Sequence, residues 1–270
     1  MQLRYDPYSI FQNSKSPTGL YARQKWLGES EDPSWERDFG AVVAALSKRL
    51  KTTEPGWQGI ITNIDTLFGL HLTQRASNAE IDSALDSLMD KISLQGDGIK
   101  IETGGGSMDN DLKNLPFVNS QPDMLLLSAT LFLATIFGRG SDPAVTNLFE
   151  WLDKKGVSGK GQWIDPASTH NILRAMVVHP VFSNCESTSL AVDRLAGMQS
   201  DTGEWDGLCH FYQTLNAIAH LDFPQANTQL DKAFQRLRDI QKVDGTWSES
   251  EPEWNTFLVV HAFKTKGLLQ

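Results

Sequence analysis

The stretches "MQSDTGEWDG" (Met198–Gly207) and "IQKVDGTWSE" (Ile240–Glu249) decide the fold, because both carry Gln-x-x-x-Gly-x-Trp. Gln199, Gly203 and Trp205 recur as Gln241, Gly245 and Trp247, 42 residues later, and one period earlier stand Gly161 and Trp163. A fixed period of this length is the mark of a repeat architecture, in which a supersecondary unit buries its apolar face only by stacking on its neighbours.

The segments before these turns are amphipathic at helical spacing. Leu230, Ala233, Phe234, Leu237 and Ile240 share one face, and Lys232, Arg236, Arg238 and Asp239 lie off it. Val192, Leu195 and Ala196, and Val145, Leu148, Phe149 and Leu152, behave alike. The segments after the turns, "NILRAMVVHP", "GLCHFYQTLNAIAHL" and "WNTFLVVHAF", are apolar nearly all round and belong in an interior. Outer helices thus alternate with inner ones. Extended toward the start of the chain, the template predicts outer helices over 38–50 and 78–92 and inner ones over 60–72 and 123–137. "SPTGLYARQKWLG" is a further inner helix, with Pro17 at its start.

The count is six inner and five outer helices. An open solenoid needs capping repeats with a polar face, but the last unit, "EWNTFLVVHAFKTKG", is as apolar as the middle ones. The reading is an all-α (α/α)6 toroid over 1–270 as one domain, short of one outer helix, with the first helix closing the ring beside the last pair. A long loop is expected at about 94–121, within which "IKIET" could be a short strand.

Composition narrows the function classes. Mean hydropathy of -0.31 with 40% hydrophobic residues describes an ordinary globular chain. A net charge of -9 opposes binding to nucleic acid. Cys185 and Cys209 are too few for a disulfide framework, and the start lacks a secretory pattern, so a cytoplasmic protein is expected. "MLLLSATLFLATIF" (Met124–Phe137) falls short of the roughly 20 residues that span a bilayer.

The Gln-x-x-x-Gly-x-Trp turn between an outer and an inner helix resembles the QW repeat of squalene and oxidosqualene cyclases, and the same helical barrel is known in protein prenyltransferase β subunits. Two copies match, and the unit of Gly161 and Trp163 lacks the Gln. The resemblance implies a central cavity for an apolar, isoprenoid-like ligand. The cyclase acid motif Asp-x-Asp-Asp is absent, the nearest string being "MDNDL" with Asp109 and Asp111, and Asp-Asp-x-x-Asp is absent too. The prenyltransferase zinc site pairs an Asp and a Cys two residues apart with a His on a neighbouring inner helix; Asp206 and Cys209 are three apart here.

All inner helices start at one rim, where residues following each Trp gather. Asp165, His170, Asp206 and His210 are the catalytic candidates there, with capping by Asp at a helix start as the plainer role. Asp206, Cys209 and His170 supply the O, S and N donors that zinc accepts. Trp163, Phe211, Tyr212, Trp254 and Tyr21 are the ligand-binding candidates, since aromatic faces line apolar pockets and attract cations. His71, His179, His220 and His261 sit 14 to 16 residues after their Trp and are expected to bond carbonyls at inner-helix ends. Arg23, Lys25 and Arg174 are the inner-helix cations. Two other classes share the architecture: carbohydrate-active enzymes, with Asp165 or Asp206 paired to Glu249 or Glu251, and non-catalytic binding or scaffold proteins.

Overall fold

A computed structural model describes residues 3–50, 56–73, 75–102, 122–165, 168–205 and 209–269. Its inner helices are α1 (Pro17–Lys25), α3 (Gly56–Leu72), α5 (Pro122–Ile136), α7 (Thr169–Val178), α9 (Phe211–Ala219) and α11 (Pro252–Thr265). The outer ones are α2 (Pro33–Leu50), α4 (Ala79–Met89), α6 (Pro143–Ser158), α8 (Glu186–Met198) and α10 (Pro224–Ile240). Each inner helix packs on the next, and α11 packs on α1, so the inner ring is closed.

Burial follows the pattern that assigned the two layers. On α5 every residue from Met124 to Ala134 is buried. On α10 the buried residues Leu230, Ala233, Phe234 and Leu237 recur at helical spacing while Lys232 and Arg236 stay outside that face. Proline at the first turn starts α1, α6, α10 and α11, where its missing N–H is no loss. Ser16 caps α1 by accepting from Gly19 N–H, and Asn78 caps α4 through the N–H groups of Glu80 and Ile81.

The recurring turn is a joint between units. Gly161, Gly203 and Gly245 adopt φ of 82°, 86° and 85°. Their α-carbons press on the next outer layer: a Cβ on Gly161 would sit 2.2 Å from Leu190 O of α8, and one on Gly203 2.5 Å from Lys232 O of α10. Only glycine meets both demands. Gln199 donates to Gly203 O and Gln229 O. Trp163, Trp205 and Trp247 donate through Nε1 to Leu152 O, Gln229 Oε1 and Leu237 O, tying inner-helix entries to the outer layer.

At the last joint, residues 4–7 occupy the place that the next outer helix holds at the others. A Cβ on Gly245 would sit 1.9 Å from Asp6 O. Gln241 accepts from the N–H groups of Arg4 and Tyr5 and donates to Tyr5 O at 3.0 Å. On the inner layer Glu253 accepts hydrogen bonds from Ser14, Ser16 and Thr18, locking α11 to the start of α1.

Helix boundaries differ in places from the sequence reading: α2 and α3 start earlier, at Pro33 and Gly56. The helix predicted to reach residue 92 stops at Met89, and an antiparallel hairpin follows: β1 (Ile92–Gln95) pairs with β2 (Gly98–Ile101) around a turn in which Gly96 has φ of 58°. The hairpin tip is held to α6 by Trp151 Nε1 donating to Asp97 O and by the Lys155–Asp97 ion pair. The rest of the expected loop, residues 103–121 with Asp109 and Asp111, lies outside the described residues.

Candidate functional site

The central cavity lies in the C-terminal halves of α3, α5, α7 and α9, against α11 and α1, and encloses about 180 Å³. Ring curvature sets what faces it. Spacings of three and four along each inner helix bring Phe68, His71 and Leu72, then Phe132 and Ile136, then Arg174, Val177 and Val178 to the axis. Asn216, Ala217 and His220 of α9 and Trp254, Phe257, Leu258 and His261 of α11 complete the wall with Tyr21. A second cavity of about 390 Å³, between α1, α2, α3 and α11, shares Phe68, Leu72 and Trp254 with the first.

The wall has two chemistries. Rings dominate α1, α3, α5 and α11: Tyr21 meets Phe257 edge-on at 5.4 Å, Trp254 stacks on Phe257 at 5.7 Å, and Phe68 lies 5.9 Å from Phe132. The polar groups of the wall are Arg174 of α7, Asn216 and His220 on α9, His71 of α3 and His261 of α11. The Arg174 guanidinium lies 5.7 Å from the centre of Phe68, 5.5 Å from Phe132 and 5.9 Å from Trp254, a cation–π arrangement inside a largely dry wall. Arg174 is 4% exposed, and burial lowers its pKa to about 9, so it is charged at neutral pH.

Arg174 is the electrostatic centre of the cavity, and five histidines feel it. Burial first and nearby positive charge second hold His71 and His261 down to about 4 and His170 to about 3. The same two causes lower His210 and His220. All five are neutral at pH 7, and among the described residues no carboxylate lines the central cavity.

The structure corrects the expectation for the histidines that recur after each Trp. His179 does serve helix-end backbone, sharing a hydrogen bond with Gly140 O at 3.1 Å and accepting from Val181 and Phe182 N–H. His71, His220 and His261 instead face the cavity, with His261 beside Asn216 at 3.3 Å and 5.3 Å from His220 between ring centres. Recurrence reflected a shared position on the ring, which faces the axis on α3, α9 and α11.

The other sequence candidates divide. Tyr21 and Trp254 line the cavity. His170 and His210 approach each other, with ring centres 6.5 Å apart. His170 is 2% exposed, and neither of its ring nitrogens, nor Nδ1 of His210, has a hydrogen-bond partner among the described residues. Trp163 has no exposed surface and is not among the lining residues; Tyr212 donates to Trp247 O, and Phe211 packs on Trp205. Asp165 accepts from both N–H and Oγ of Ser168, a capping role. Glu249 pairs with Lys242. Asp206 lies outside the described residues, and among those described no group of three His, Cys, Asp or Glu is placed to hold a metal. Arg23 is taken up by Glu29, Asp38 and Ser14 O.

Among solved structures, an arginine-to-alanine variant of the type II terpene cyclase MstE from Scytonema, in complex with its substrate geranylgeranyl dihydroxybenzoate, matches with a TM-score of 0.60 at 14% identity, over 94% of this chain and 87% of that one. The fold is a terpene-cyclase-like toroid. Apo MstE matches this terpene-cyclase-like toroid with a TM-score of 0.58 at 13% identity, over 94% of this chain and 89% of that one. No family model matches the sequence of the toroid, and no curated protein does. Among its described residues, no helix is long and apolar enough to cross a membrane.

Proposed function

We propose that the protein binds an apolar, isoprenoid-like ligand in its central cavity. The observation that carries this reading is the arc of Tyr21, Phe68, Phe132, Trp254 and Phe257, five rings from four inner helices converging on one space. Such a wall offers dispersion contact and no hydrogen bond that an unfunctionalised chain would have to satisfy. The second cavity, sharing Phe68, Leu72 and Trp254 with the first, gives a long chain somewhere to extend. The fold supports the reading by likeness, since the similar toroid MstE was solved with a geranylgeranyl-bearing substrate.

Binding is proposed here, and turnover is not. The cation–π seat formed by Phe68, Phe132 and Trp254 is filled by Arg174. A carbocation placed about 6 Å from that guanidinium would be repelled by about 3 kcal/mol at an effective dielectric of ~20. The test is titration with geranylgeraniol, followed by tryptophan fluorescence and thermal unfolding. Quenching of Trp254 and a saturable rise in the unfolding midpoint are expected, ligand at a hundred times its dissociation constant adding about 2.7 kcal/mol. Absence of both up to the solubility limit would refute the reading.

A further inference from the structure

We propose that the lateral cavity between α1, α2, α3 and α11 is a binding site of its own, taking a small primary ammonium on an apolar body, with the charge paired to Glu251. The proposal goes beyond the isoprenoid reading and does not depend on it, since Glu251 lines this cavity and not the central one.

The space suits a small molecule. Its volume of about 390 Å³ is within the range of ligand pockets, and part of its wall is apolar, formed by Val42, Leu46, Phe68, Leu72 and Trp254. The charged and hydroxyl groups on the rest of the wall decide what kind of molecule enters, and nearly all are engaged within the fold. Lys15 pairs with Asp38 at 3.2 Å, Arg49 pairs with Asp65 at 2.9 Å, and Thr18 donates to Glu253 at 2.9 Å. Glu251 is the exception: among the described residues its carboxylate has no hydrogen bond and no ion pair. With both cations matched, the charge left over in the cavity is one negative charge. An ammonium complements it, and a carboxylate or phosphate is repelled.

Two further features set Glu251 apart. Its backbone lies in the left-handed region, with φ of 48° and ψ of 53°, and its side chain does not cap the helix it precedes. Glycine takes that conformation without strain, so a glutamate held in it at the lip of a cavity points to a use for the carboxylate. Burial also raises the Glu251 pKa, and no nearby positive charge brings it back down; a bound ammonium supplies that charge. Trp254, one helical turn further on, lines the same cavity. One molecule with an apolar body and a cationic end therefore meets both.

The experiment compares phenethylamine, 2-phenylethanol and 3-phenylpropionate, similar in shape and different in charge, by calorimetry on the full chain at pH 7. The amine should bind about fivefold to tenfold more tightly than the alcohol, the upper range for a partly exposed ion pair, and the acid more weakly than either. Salt at about 1 M should shrink the preference. Glu251→Gln breaks no bond in the fold; it should bring amine binding down to that of the alcohol and leave geranylgeraniol binding within a few fold. Equal binding of amine and alcohol by the unaltered protein, a preference that survives Glu251→Gln, or failure of the amine to bind overturns the ammonium site. Absence of geranylgeraniol binding with the amine preference intact overturns the central-cavity reading and leaves this site standing.

Discussion

Acidification from pH 7 to pH 5 should cost this protein about 4 kcal/mol of stability, through its interior histidines. In the unfolded chain each titrates near 6.5; in the folded protein His170 is held at about 3, and His71 and His261 at about 4, by burial first and by nearby positive charge second. Between those values the unfolded state binds protons that the folded state refuses, so stability is present above about pH 6.5 and is lost as pH falls. For a fully buried imidazole the loss between pH 7 and 5 is about 2 kcal/mol, and His170 at 2% exposed takes that full value. His71 and His261 are only half-buried and face the cavity, where water screens an added charge, so about 1 kcal/mol each is reasonable. His210 and His220, lowered by burial and nearby positive charge, shift the loss in the same direction. A loss of this size is a large part of the 5–15 kcal/mol that holds a typical domain together. Urea denaturation followed by circular dichroism at pH 7, 6 and 5 measures it, with His170→Gln as the control that should flatten the slope by about 2 kcal/mol. Unfolding free energies within about 1 kcal/mol of each other across this range would show that the histidines are not held neutral, and the electrostatic picture of the cavity would fall.

Three further outcomes test the architecture. Gly245→Ala should destabilise by about 3 kcal/mol or more, because it adds a Cβ on Asp6 O to the strain of positive φ, whereas Gly28→Ala, with φ of 69° and open space around it, should cost only about 1 kcal/mol; similar denaturation midpoints for the two would argue against the joint. Glu253→Ala leaves the hydroxyls of Ser14, Ser16 and Thr18 without their shared acceptor, and roughly 2–4 kcal/mol should be lost in chemical denaturation. Trp254→Ala removes a wall residue common to the two cavities; about 2–4 kcal/mol of stability should go with it, and the quenching signal for prenyl ligands should disappear.

The alternation of inner and outer helices was legible because burial on all sides and burial on one side leave different residue patterns, as α5 and α10 show. Some helix starts were missed. The reading opened α2 at Asp38, but Trp35 is 6% exposed and donates to Leu20 O, so the helix begins at Pro33. "PSWER" looks too polar to be packed until the neighbouring α1 is in place. The cavity was less legible than the ring, since which face of an all-apolar helix meets the axis depends on curvature that one chain segment does not encode. His71, His220 and His261 therefore looked like helix-end residues. One signal did exist: Arg174 stands alone as a charge in "NILRAMVV", with His170 a turn before it, and a charge inside a segment otherwise fit for a dry interior marks a place where chemistry outweighs packing.

The clasp between residues 4–7 and the Gly245 joint also governs how the molecule comes together. Its hydrogen bonds join positions 236 apart in the chain, so the entropy of closing nearly the whole polymer falls on this one seam, while the other joints are made between adjacent units. The arc of helices can assemble progressively, but the circle closes only when both ends are present. The same seam is where the native state should breathe first, and backbone amides of Arg4 and Tyr5 should exchange with solvent deuterium well before those of α5.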